Sequence, residues 1–128
     1  MKTIIYSTVT NNTFIETQIK SIKKYFQSDF EYIIFDDSRD KKHLISYNKI
    51  QTNDIKNTCK KLGIKYIRIP QELHHNRSKV LPEEWSKKNN NEHPYHDHPV
   101  TRCALAVQYG FNYIINNYKD IYLFILDS

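Results

Sequence analysis

Two uninterrupted apolar runs that each end in acid constrain this chain more than any other feature. Residues 32–35 give way to Asp36-Asp37-Ser38, and residues 121–126 give way to Asp127-Ser128. Short strands that are apolar at every position, not at alternate ones, belong to sheets covered on both faces, as in open parallel α/β proteins. Such sheets bind ligands outside the carboxyl ends of their strands, where these two acidic tips would lie.

The rest of the chain supplies the crossovers such a sheet needs. Residues 3–10 form a breaker-free first strand rich in β-branched side chains. Thr13 and Glu16 stand at capping-box spacing, and Ile15, Ile19, Ile22 and Phe26 follow at helical spacing. A second strand spans 30–35 and a polar turn 36–42. Asn53 or Asp54 then opens a second helix that turns Ile55, Cys59 and Leu62 inward and ends at a Gly63 cap. Residues 64–69 make a third strand stopped by Pro70. The polar stretch 71–98, with Pro82, Pro94 and Asn89-Asn90-Asn91, reads as one long loop of the kind that serves as a functional lid or a mobile region. A third helix carries Val100, Cys103, Ala104, Val107, Phe111, Ile114, Ile115 and Tyr118 on one face, and a last strand begins at Asp120. The order β-α-β-α-β-loop-α-β predicts a Rossmann-like, mostly parallel sheet with helices on both faces, in a single domain spanning 1–128.

Composition narrows the chemistry. A chain of 128 residues buries about two-thirds of its unfolded surface and has no room for a second core. Two glycines are too few for a P-loop or a Gly-rich Rossmann turn, so a bound nucleotide would be held by side chains. Cys59 and Cys103 fall at apolar helix positions and are expected to be core thiols in a reducing compartment. Without a charged-then-apolar leader or an apolar stretch near ~18 residues, a soluble cytoplasmic protein with no membrane span is expected. The net charge of +5 arises from lysines scattered over helix faces (Lys20, Lys23, Lys24, Lys60, Lys61), which argues against a nucleic-acid partner.

Several residues can carry chemistry. Asp36 or Asp37, just past a strand tip, can accept from a base nitrogen or a ribose hydroxyl, or can simply cap its own turn with Ser38. Asp127 follows six apolar residues and would suit a hard cation, Mg²⁺ or Mn²⁺, bridging to a diphosphate. His74, His75 and Arg77 follow the third strand at the same edge, making Arg77 a candidate phosphate contact. His93, His96, Asp97 and His98 form either a metal-binding cluster or a His-rich polar loop. Trp85 and Tyr95 would stack on a base or sugar, or anchor the loop.

Together, the strand ending Ser7-Thr8-Val9-Thr10-Asn11, the strand ending IIFDDS, the helix with TRCALAVQYG and the strand FILDS make the chain similar to the nucleotide-binding half of a GT-A glycosyltransferase. The resemblance covers the whole chain in element order, through motifs that are short. It implies a nucleotide-sugar donor, with Thr8 lining the base and ribose pocket and Asp37 binding base or ribose. By the same resemblance Arg102 lies near the diphosphate, and Asp127 is the first acid of a DxD motif holding Mn²⁺ or Mg²⁺. The third position of that motif and the family's acceptor-binding half are not in the sequence. The expectation is therefore a fragment or a relic that turns over poorly alone, because glycosyl transfer needs both leaving-group stabilisation and acceptor deprotonation. The family's DxD strand is interior, so residues 121–126 would be an exposed edge and a homodimer is expected, through that strand or by exchange of 71–98. The alternative is a noncatalytic nucleotide-binding or protein-interaction module. A phosphoacceptor receiver domain would need acids after the first strand, where this chain has Thr and Asn.

Overall fold

The structure, a computed structural model, describes residues 1–44, 49–75 and 99–127. Its elements are β1 (Lys2–Val9), α1 (Ile15–Tyr25), β2 (Glu31–Asp36), α2 (Thr52–Leu62), β3 (Lys65–Arg68), α3 (Glu72–His75), α4 (Pro99–Asn117) and β4 (Ile121–Ile125), with a 3-10 turn at Lys41–His43. The four strands form one sheet in the order β3-β2-β1-β4, and every pairing is parallel. The fold is thus α/β and Rossmann-like, with helices on both faces. Among the described residues no helix is long and apolar enough to cross a membrane.

Alternation along the strands divides the core in two. Ile5 and Val9 of β1 and Tyr32 and Ile34 of β2 face α1 and α2, where they meet Ile15, Ile19, Ile22, Ile55 and Cys59. Ile4, Tyr6, Ile33 and Phe35 face the other way, toward Ala106 and Ile114 of α4. The central strands β1 and β2 have apolar side chains on both faces because both of their faces are covered, whereas β4 leaves Tyr122, Phe124 and Ile125 exposed.

The first two helices follow the sequence pattern, with different starts. The expected capping box is not formed: Phe14 occupies the N-cap of α1 without a side-chain bond, and Asn11 Oδ1 instead accepts from the Thr13 amide at 3.0 Å. Helix α2 begins at Thr52, ahead of Asn53, because Thr52 Oγ1 lies 3.1 Å from Ser38 Oγ and ties the helix start to the β2 tip. Gly63 does close α2, in the left-handed region at φ 68°, where a Cβ would be strained.

Helix α4 departs from expectation more deeply. Its buried ridge is Arg102, Ala106 and Ile114, with Gly110 at the closest approach, while Val100, Cys103, Phe111 and Ile115 are exposed. The reason lies beneath the helix. Tyr6 and Phe35 pack edge-to-face at 5.4 Å, and the Tyr6 hydroxyl donates to the Val107 carbonyl at 2.9 Å, which draws the helix backbone down onto the rings. A Cβ on Gly110 would sit 2.6 Å from Tyr6, so only the small-residue ridge fits there. Tyr109 and Tyr113 flank it on the β2 side, each edge-on to Phe35.

The amino-terminal edge is held by a polar cluster. Lys2 pairs with Glu31 at 2.6 Å, Tyr118 donates to Glu31 at 3.0 Å, and Lys65 donates to Tyr118 at 2.9 Å. It joins the starts of β1, β2 and β3 to the end of α4 and leaves the opposite edge for function.

Candidate functional site

The chain winds outward from β1 through β2 to β3, then returns across the sheet to place β4 on the other side of β1. This reversal makes the carboxyl ends of β1 and β4 the topological switch point, the place at which open α/β sheets form their ligand crevice. The β1–β4 register runs from Lys2 opposite Ile121 to Tyr6 opposite Ile125, and the Leu126 amide extends it by donating to Tyr6 O at 2.9 Å. Thr8 and Asp127 each lie two residues beyond that last pair. By strand alternation both fall on the α4 side, with Asp37. Thr8 is half-buried and Asp127 exposed.

A single element supports the crevice from the other face. Gln18 of α1 donates from Nε2 to the Asp127 carbonyl at 2.7 Å, and its Oε1 accepts from Ser7 at 2.9 Å and from the Tyr32 hydroxyl. One amide side chain thereby joins β1, β2 and the tip of β4. Burial pushes the Tyr32 phenol up to about 12, so it stays a donor at any ordinary pH. The sequence held a signal for Gln18: a polar residue at an inward position of the Ile15–Ile19–Ile22 face.

The adjacent carboxylates Asp36 and Asp37 face opposite sides of the sheet. Asp36 is fully buried on the α1/α2 side and accepts from the Ser38 amide at 2.8 Å, the Tyr66 hydroxyl at 2.6 Å and Arg68 Nη1 at 3.0 Å. Arg68 also donates to Ser38 Oγ at 3.1 Å. Burial, reinforced by the Asp36 carboxylate, pushes the Tyr66 phenol well above its ordinary value and keeps it protonated. With its oxygens occupied on that side, Asp36 acts as an internal brace between β2, β3 and the Ser38 turn.

Asp37 is 3% exposed on the α4 side and belongs to a different network. Its Oδ1 accepts from Gln71 Nε2 at 3.0 Å and lies 2.7 Å from His74 Nε2, while Arg102 Nη2 stands 3.9 Å from Oδ2. Arg102 Nη2 also donates to the Asp37 carbonyl at 3.1 Å and to Gln71 Oε1 at 2.6 Å. A carboxylate only accepts, so the His74 Nε2 carries a proton and its Nδ1 points elsewhere. That Nδ1 is buried without a hydrogen-bond partner among the described residues. The network gathers β2, the turn after β3, α3 and the first part of α4 around one guanidinium that is 6% exposed. The carboxylate, the amide and the carbonyl together hold this guanidinium in one orientation.

The structure therefore brings Thr8, Asp37, Arg102 and Asp127 to one face of one edge, and sets Asp36 on the other face. Gln71 and Gln18 are additions that sequence reasoning did not supply. Arg77, Trp85, Tyr95 and the cluster His93, His96, Asp97 and His98 lie outside the described residues. Among the described residues no group of three His, Cys, Asp or Glu side chains is placed to hold a metal ion. Asp127 offers one exposed carboxylate, which would suit Mg²⁺ or Mn²⁺ with most remaining ligands drawn from phosphate and water. Comparisons with protein-family models, with curated proteins and with solved structures found no match to this chain.

Proposed function

We propose that the chain is a nucleotide-sugar-binding domain of GT-A glycosyltransferase type, with the donor at the carboxyl edge of the sheet on the α4 side. The observation that carries this reading is that Thr8, Asp37 and Asp127 all lie at the carboxyl edge on the α4 side of the sheet, with the buried Arg102 guanidinium held at Asp37. In this reading Thr8 lines the base and ribose pocket, and Arg102 lends positive potential to the diphosphate. Asp37 orients Arg102 and His74 while its own carboxylate stays within the network. Asp127 marks where a divalent cation would meet the diphosphate, and such a cation would supply leaving-group stabilisation.

Catalysis asks for more than these residues offer. Transfer requires a group that deprotonates the acceptor hydroxyl, and none of the residues at the crevice is assigned that role. The domain is accordingly proposed as a donor-binding unit with little or no turnover by itself. A noncatalytic nucleotide-binding module is the second reading, favoured by the way the Asp36 and Asp37 side chains are committed to internal bonds.

A thermal-shift titration with UDP, GDP, CMP and their sugar conjugates, each with and without Mn²⁺, tests the proposal. One nucleotide is expected to raise the midpoint, by about 2.7 kcal/mol of linkage at a hundredfold excess over Kd. Thr8→Val is expected to reduce the shift, each protein being compared with its own unliganded midpoint. Retention of binding with no Mn²⁺ effect in wild type or Asp127→Asn would favour the noncatalytic module. No shift from any nucleotide would overturn the proposal.

A further inference from the structure

We propose that two copies of this chain associate through the outer edge of β4, in antiparallel register about Leu123. Among the described residues nothing pairs with that edge. Edge strands are ordinarily protected by charge, proline, bulges or cover, yet residues 121–126 contain neither a charged residue nor a proline. Tyr122, Phe124 and Ile125 are 57%, 47% and 49% exposed.

The direction of the backbone groups fixes the register. The Leu126 amide points to β1, where it meets Tyr6 O. By alternation Tyr122 and Phe124 also turn their amides inward, and Ile121, Leu123 and Ile125 turn theirs outward. An antiparallel joint bonds through outward-facing residues, so a twofold axis at Leu123 pairs Leu123 with itself and Ile121 with Ile125. Tyr122 then lies beside Phe124 in the alternate pairs. Every opposed pair from Ile121 to Ile125 is apolar. The strand is complementary to its own reverse, as an isologous contact requires.

The same axis brings the two α4 helices together. Tyr109 and Tyr113 hold one flank of α4 over Phe35 of β2, so the opposite flank, with Val107, Phe111 and Ile115, overlooks β4. Phe111 and Ile115 are 40% and 49% exposed. A twofold axis perpendicular to the sheet leaves both helices on one face, and their apolar flanks close over the joined strands. This accounts for an apolar stripe on α4 that the core formed by the described residues does not use.

Sedimentation equilibrium of the full chain, with circular dichroism as a check on folding, provides the test. A dimer is expected, weakened by about tenfold or more in Ile125→Lys and in Phe111→Glu and unchanged in Ile50→Lys, which lies next to α2 on the β2/β3 side of the sheet. Mild oxidation of Leu123→Cys in a Cys103→Ser background is expected to give a covalent dimer. Opposed Cα atoms at ~5.5 Å permit a disulfide there, whereas Ile121→Cys, facing Ile125, gives none. A monomer at every concentration overturns the proposal, including one whose β4 amides are protected by another segment. So does a dimer indifferent to the β4 and α4 variants.

Discussion

The two faces of this sheet are built on different rules. On the α1/α2 side, isoleucines at helical spacing meet isoleucines of the strands, and apolar periodicity alone identifies the buried positions. On the α4 side, aromatic rings stand on the sheet and the helix answers with Ala106 and Gly110, turning several of its larger apolar residues outward. One face is set by hydrophobicity, the other by shape. The functional candidates lie on the second face, where a guanidinium occupies the same ridge as the small residues.

The contrast can be broken from either side. Ile34→Ala, fully buried beneath α1 and α2, is expected to cost about 2–5 kcal/mol in denaturant unfolding. A loss well under that would mean the first face collapses around the cavity and is not closely packed. Gly110→Ala is expected to cost about 1–3 kcal/mol by overpacking against Tyr6. That sign is the informative part, since glycine to alanine inside an exposed helix stabilises by about 1 kcal/mol. Stabilisation by Gly110→Ala would show that α4 does not press on the rings as described. In a Tyr6→Leu background the additional cost of Gly110→Ala should shrink, because the Tyr6 ring is the nearest obstacle.

The strands, the first two helices and the order of elements were legible because each rests on local apolar pattern. The orientation of α4 was not, because its apolar residues outnumber its buried positions and the Tyr6–Phe35 pair that selects among them lies far away in sequence, Tyr6 being 101 residues from Val107. Asp36 and Asp37 looked alike for a related reason. Neighbouring residues in a strand face opposite sides, and only the partners on each side, Tyr66 and Arg68 against Gln71, His74 and Arg102, distinguish the two carboxylates. The position of Thr8, Asp37 and Asp127 at the carboxyl edge was readable from the strand ends. The network that surrounds Asp37 joins a turn, a short helix and α4, and no spacing rule links those segments.

The smallest expected effect concerns the amino-terminal edge. Burial opposes ionisation of Glu31, but hydrogen bonds from Lys2 and Tyr118, with the nearby Lys2 and Lys65 charges, outweigh it and hold the carboxyl below its ordinary 4.5. A carboxyl lowered in the folded state stabilises above its unfolded pKa, and this contribution is lost as pH falls through the folded value, so the window lies below about pH 4.5. Solvent screening keeps it under about 1 kcal/mol. Glu31→Gln is expected to flatten that part of the stability curve and leave the plateau near neutrality slightly lower. An unchanged acid limb would remove Glu31 from the account.

Most direct for the central claim is a backbone amide NMR titration of the chain with the nucleotide identified by thermal shift, in the presence of Mg²⁺. The donor site proposed for the α4 side of the carboxyl edge predicts the largest shifts at Thr8, Asp37, Arg102 and Asp127, with Thr52, Tyr66 and Arg68 on the opposite face little changed. Shifts centred on the Asp36 network, or no shifts with any nucleotide, would contradict it.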